Sequence, residues 1–291
     1  MAPDTMSDPA ASPEEKVRDY YRKVLDSHKL PSLPVVASKV LEMIQDPDIS
    51  VQKLCRVLAD DAALSGRVLT ISRSPQYAQR NLPTNLTAAV QVLGFRTLRG
   101  VVIAHATQSL CIKGNKTSER LWRHSLGVAL AMRLLSKRAG LRDGDLGFLA
   151  GLMHDIGQMI LIQGDPAAYA GIGLSQASES IVDMEQAGYG LDHTMIGFTL
   201  LNSWNMDSDV VQAALNHHSE IPADGDNRLS ALLTVANALC WKADLGFCLE
   251  PPAPSAEALA LCGCADEESV NHRVAEIAAA YQNESALFAT A

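Results

Sequence analysis

The chain has 291 residues, of which 47% are apolar, 20% charged and only 5% aromatic, with a formal net charge of −9. So acidic a chain is not built for general binding to DNA or RNA, which calls for a basic surface. The length admits one large domain or two of ordinary size, and the aliphatic, Ala- and Leu-rich mix favours helix.

Residues 1–11 are rich in Pro, Ala and Asp and are expected to be disordered. They carry Asp4 and Asp8 and no apolar core, so they do not read as a signal peptide. Ser12-Pro13-Glu14-Glu15 predicts a capped helix start, with the helix running to about Ser27. Leu30-Pro31-Ser32-Leu33-Pro34 fixes the backbone twice and delivers a helix near Val35 to Gln45. Ser50 caps a third helix, with Val51, Leu54, Cys55 and Leu58 at helical spacing, and a fourth spans about Ala62 to Ser72. After a loop holding Pro75 and Pro83, Thr84 or Asn85 caps a helix from Leu86 to Leu93 that Gly94 ends. Thr97 to Ser109 follows as another.

Lys113 to Thr117 reads as a loop and a candidate domain boundary. Beyond it come a long helix from Leu121 to about Ala139, a helix through His154-Asp155, and another from Ile181 to Gly188. A helix then leads from Asp192-His193 to near Trp204, and Asp207 caps one carrying His217 and His218. Pro222 to Asn227 is a polar turn, Leu229 to Trp241 an apolar helix around Asn237, and Ala256 to Ala280 one or two closing helices. Strand alternation is sustained nowhere, so the expected fold is all-α. It has a helical N-terminal half over 12–112 and a multi-helix bundle over 117–282.

No apolar run approaches the roughly 18 residues needed to span a membrane, so no membrane association is expected. The six scattered cysteines read as reduced thiols of a cytoplasmic protein, and Cys262-Gly263-Cys264 lacks a second pair at zinc spacing. From Ala62 to Ser118 there is no Asp or Glu, while Arg67, Arg73, Arg80, Arg96, Arg99, Lys113 and Lys116 all fall there. Arg96 and Arg99 are the candidate contact surface for an acidic partner; the plainer reading is a face paired with acidic residues elsewhere.

The stretch Ala150-Gly151-Leu152-Met153-His154-Asp155-Ile156-Gly157 sets an imidazole and a carboxylate between two apolar runs. A buried charge needs a partner, and either a metal ion or a hydrogen-bond network would serve. A neutral nitrogen beside an anionic oxygen suits Fe, Mn or Zn. His124, His154, His193, His217 and His218 all fall between the boundary loop and the Pro-rich segment 249–255, on predicted helices or their edges. A helical bundle can gather such groups into one core site. Taken singly, each is equally readable as a satisfied core or surface residue.

His124, His154-Asp155, His193, His217-His218 and position 237 follow the order and approximate spacing of the HD metal-dependent phosphohydrolase superfamily, and Leu152 to Gly157 resembles its signature. Leu30 to Pro34, Asp61-Ala62-Ala63-Leu64-Ser65 and Ala88-Ala89-Val90-Gln91-Val92-Leu93-Gly94 narrow the resemblance to the HD-related output domain, HDOD, over about residues 20–245. Ala62 stands where that family often has Pro, and Arg73 where it often has Asn. The resemblance implies an all-helical bacterial signalling protein, of a family often attached to receiver or sensory modules and mostly without established enzymatic activity.

It also implies a first metal site at His124, His154, Asp155 and Asn237 and a second at His193, His217 and His218, for Fe, Mn or Zn. The catalytic relatives carry an Asp where this chain has Asn237. Cyclic-di-GMP phosphodiesterases often have a Lys where Gln158 stands, and a Gly-Tyr-Pro motif where this chain reads Ser219-Glu220-Ile221-Pro222-Ala223-Asp224. Phosphodiester hydrolysis calls for a metal-activated hydroxide and cations to take up developing charge. The first is weakened by Asn237, and the usual source of the second is absent. The resulting expectation is a signalling output or scaffold with an eroded metal site and no robust catalysis, binding a protein partner and admitting a nucleotide ligand. The alternative is a divergent metal-dependent phosphohydrolase.

Overall fold

A computed structural model describes residues 31–77, 82–141, 144–172, 180–219 and 227–288. The helix expected over 12–27 lies outside them, as does most of the turn at 222–227. Among the described residues every regular element is helical. Helix α1 spans Val35–Ile44, α2 Val51–Leu58, α3 Ala62–Ser72, α4 Leu86–Gln108, α5 Lys116–Arg138, α6 Gly144–Met153 and α7 Ile156–Gly164. They are followed by α8 Pro166–Ile172, α9 Ile181–Tyr189, α10 His193–Ser203, α11 Ser208–Asn216, α12 Arg228–Cys240, α13 Ala256–Leu261 and α14 Glu267–Glu284.

The helix starts are set by short polar side chains that accept from otherwise unpaired backbone N–H groups. Ser50 accepts from Lys53, Asp61 from Leu64, Asn85 from Ala88, Asn115 from Ser118, and Asp192 from both Thr194 and Met195. Two expectations are corrected here. Helix α5 begins at Lys116 under the Asn115 cap, so the loop expected through Thr117 is shorter. Asp207 makes no cap bond at α11; its carboxylate pairs with Arg99 instead.

Gly94 interrupts α4 with φ 73° and ψ 164°, a conformation reserved for glycine, so the two helices expected on either side of it meet at a kink. The apolar faces merge into one contiguous core running from Ala37 to Phe288. Helix α5 lies at its centre, fully covered along Leu126, Val128, Ala129, Leu130 and Met132, with α6, α12 and α14 packed around it.

Long-range polar ties close the ends. Trp204 Nε1–H donates to the Pro31 carbonyl, Gln108 Nε2 donates to the Phe288 carbonyl, and Arg133 pairs with Glu284. Two stretches, Leu86–Gln108 and Gly144–Gly164, reach the length and mean hydropathy of a membrane span, which corrects the expectation that no run comes close. The second is broken at His154-Asp155 and lies 89% inside the core.

Candidate metal centre

Expected inside a helix, His154 and Asp155 in fact form the turn between α6 and α7, with Asp155 at φ −102° and ψ 17°. The break comes from packing. Gly151 lets α6 press onto α5, where a Cβ would stand 2.6 Å from the Val128 carbonyl oxygen. Gly157 lets α7 meet the start of α10, where a Cβ would stand 2.0 Å from the His193 carbonyl oxygen. Only hydrogen fits at either point. The two glycines therefore bring the turn against both helices that carry the other donors.

Four imidazoles surround the Asp155 carboxylate. His124 Nε2 is 3.4 Å and His154 Nε2 3.1 Å from Oδ2, while His193 Nε2 is 3.4 Å and His217 Nε2 3.3 Å from Oδ1. His218 lies beside them, its ring 4.2 Å from that of His217 and tilted to it, and 5.0 Å from that of His193 and edge-on to it. All but His218 are nearly closed to solvent, at 0–3% exposure.

The tautomers follow from the outer hydrogen bonds. Nδ1–H donates to a backbone carbonyl in three rings: His124 to Leu245 at 2.8 Å, His154 to Gly151 at 2.8 Å, and His217 to Ala214 at 2.7 Å. A carbonyl only accepts, so Nδ1 holds a proton and each ring turns its Nε2 toward Asp155, the atom a metal would take in place of a second proton. His154 Nε2 and Asp155 Oδ1 are buried without any hydrogen-bond partner, as is Gln158 Oε1 one turn on. Unpartnered polar atoms gathered around one anion are the arrangement that a cation resolves.

Geometry divides the donors into two sets sharing Asp155: His124 and His154 on one side, His193, His217 and His218 on the other, each set with ligand atoms within 4.8 Å of one another. The division expected from the sequence assigned Asp155 to the first set alone, whereas here its carboxylate faces both. Asn237, the remaining expected residue, is buried at 6% exposure on α12, which packs against α5, α6 and α11. Burial alone would raise the Asp155 carboxyl, but His154, His124 and His217 hold it well below the usual range, so it is an anion. Burial pushes His217 down to about 4, with His154 and His193 adding to the effect and Asp155 opposing it. Burial and the neighbouring imidazoles also push His218 down. His193 behaves oppositely. Burial would lower it, yet Glu185 and Asp155 raise it to about 9.

Glu185 was not expected. It is fully buried on α9 and accepts from the His193 backbone N–H at 2.8 Å and from His193 Nδ1–H at 2.6 Å, while its other oxygen accepts from Tyr169 O–H at 2.5 Å. The available signal was its place one turn after Ile181, on the side of α9 that faces inward. The partner-surface pair lies elsewhere: Arg99 is ion-paired with Asp207, and Arg96 is exposed. Cys262 and Cys264 are buried free thiols, both raised by burial, Cys262 to about 12.

Known proteins share this fold. An HDOD protein of unknown function from Geobacter sulfurreducens has a crystal structure that superposes with a TM-score of 0.69 at 24% identity, covering 94% of this chain and 96% of its own. A provisionally assigned phosphohydrolase from Shewanella amazonensis gives 0.68 at 25% identity, covering 96% and 98%. A provisionally assigned signal transduction protein from Marinobacter aquaeolei gives 0.73 at 18% identity, covering 95% of this chain and 65% of its own. An uncharacterized protein of Treponema pallidum is 22% identical over 220 residues, which is 72% of this chain but only 42% of that longer protein. The HDOD domain family model matches residues 30–220, the span that carries the kinked α4, the His154-Asp155 turn and the His217-His218 pair; the chain belongs to the HDOD family.

Proposed function

We propose that the chain is a signal-transduction output protein whose buried centre binds divalent metal, with Asp155 as the shared ligand. The observation that supports this most directly is the convergence of four Nε2 atoms on one carboxylate in a closed core, with His154 Nε2 and Asp155 Oδ1 left without a hydrogen-bond partner. His124 and His154 would hold an ion on one side, and His193, His217 and His218 on the other. Fe, Mn or Zn suits these donors. A bound ion of this kind can act as a Lewis acid and activate water. The protein's own residues orient the imidazoles through their Nδ1 bonds and keep bulk water from them.

Signalling by contact is the favoured output. The donors are nearly closed to solvent, and the position where catalytic relatives carry an Asp holds a neutral amide at Asn237. The output surface would include Arg96, with Arg99 beside it, and the ligand could extend to a nucleotide. The second reading, a metal-dependent phosphohydrolase, is favoured by the six retained His and Asp donors and by the Shewanella relative's assignment.

Elemental analysis of untagged protein beside Asp155→Asn, which changes the one ligand common to both sides, tests the metal. Near-stoichiometric metal in the wild type, lost in the variant, is the expected result; equal and negligible content in both would overturn it. Assays on cyclic dinucleotides, nucleotides and simple phosphodiesters separate the two readings. Metal-dependent turnover abolished in His154→Ala would replace the scaffold with the enzyme.

A further inference from the structure

The two halves of the centre are not equivalent. Three of the histidines around Asp155 lean on neutral backbone carbonyls, whereas His193 alone leans on a carboxylate. That carboxylate, Glu185, is itself held from behind by Tyr169, whose ring is also fully buried and stacks on Tyr189 at 6.5 Å. A carboxylate behind a ligating imidazole fixes its tautomer and ring orientation and makes its free nitrogen a stronger donor. Burying that charge is costly unless a counter-charge lies beyond the ring.

Charge arithmetic says how many ions suit the cavity. Asp155 and Glu185 are the carboxylates in direct contact with the imidazoles, contributing two negative charges among five rings. Asp192, the other acidic group close to His193, directs its oxygens to the start of α10 and to Gln186, so the helix N-terminus and that amide offset it. One divalent cation neutralises the pair. A second leaves the core with an excess of two positive charges, and Asn237 supplies no anion to offset them.

From these two asymmetries, which rest on the metal-binding reading above, we infer that the centre takes one divalent ion tightly. That ion sits at the position bounded by Asp155 Oδ1, His193, His217 and His218, with Glu185 and Tyr169 as the residues that position His193. The His124–His154 side binds a second ion only weakly.

Titration of metal-free full-length protein with Co²⁺, followed by its visible absorption and by calorimetry, tests this. The expected result is one tight ion and a second at least about 10-fold weaker. His218→Ala should remove the tight phase, and His124→Ala should remove the weak phase alone. Glu185→Gln, a neutral isostere, should weaken the tight phase by about 10- to 100-fold, the usual effect of losing an outer-shell partner, and leave the weak phase in place. Tyr169→Phe should weaken the tight phase less, in the same direction, and it carries the test if the buried amide of Glu185→Gln prevents folding.

Two ions of equal affinity, a tight phase lost with His124→Ala, or unchanged tight binding in both Glu185→Gln and Tyr169→Phe would overturn the inference while leaving metal binding intact. Absence of any ion from the wild type would overturn the metal-binding reading itself.

Discussion

At the scale of single residues, the proposed centre is governed by which charges are present. Asn237 is the position to test, because it offers a neutral carbonyl oxygen where an Asp would offer a hard anionic ligand. Asn237→Asp should raise the affinity of the weaker ion by at least about 10-fold, as expected when an ion gains a charged ligand worth about 1.4 kcal/mol or more. A Co²⁺ titration that leaves the second phase unmoved would remove position 237 from the metal's surroundings. The histidines also set a pH profile for the metal-free protein. His193, raised to about 9 from 6.5, keeps its proton in the folded state while the unfolded chain releases it. Its contribution is whole below about pH 6.5 and is lost as pH rises to about 9. His217, lowered from 6.5 to about 4, refuses a proton that the unfolded chain accepts, so stability is lost as pH falls between those values, with His218 acting in the same direction. Urea midpoints of chelated protein should therefore peak near about pH 6.5, and a midpoint that changes in one direction only from about pH 4 to about pH 9 would contradict these assignments.

At the scale of the element, glycines decide where helices bend and where they touch. Gly94 holds φ 73° and ψ 164° within α4, and a Cβ added there would meet nothing within 4 Å, so Gly94→Ala encounters backbone strain and no clash. It should cost about 1–3 kcal/mol in urea unfolding; a cost below about half a kcal/mol would mean that α4 tolerates a straighter path. This kink was legible in the sequence because a glycine between two capped apolar runs is a helix stop. So were α1, which starts after Pro34, and α2, α3 and α10, whose caps and apolar spacing are local signals. The break at His154-Asp155 was not. No proline marks it, Asp155 stands at the N-cap of α7 without making a cap bond, and the break exists because α5 and α10 approach Gly151 and Gly157 from outside the segment. Glu185 was hidden for a similar reason. Helix α9 carries Asp183, Glu185 and Gln186 together, and only the packing of Tyr169 and His193 against α9 tells which of them is buried. The His and Asp donors were named from the family resemblance and their place on predicted helices, whereas their sorting about the two oxygens of one carboxylate needed the fold.

At the scale of the whole molecule, the centre joins parts of the chain that are far apart in sequence. His124 comes from α5, His154 and Asp155 from the α6–α7 turn, His193 from α10, and His217 and His218 from the end of α11. These elements share one continuous core with α1 to α4 and the closing α14, so the donors converge only when that core has formed. An ion held there binds the folded chain and not the unfolded one, and mass action then stabilises the whole fold. At a free metal concentration about 100 times the dissociation constant the gain is about 2.7 kcal/mol. Adding saturating metal to chelated protein should raise the urea midpoint by that amount divided by the slope, with the slope itself unchanged because the exposed surface is the same. Asp155→Asn alters the carboxylate common to both sides and should flatten the response. If the wild-type midpoint stays fixed at saturating metal, the imidazoles are held by the protein alone, and the centre serves the fold through packing rather than through an ion.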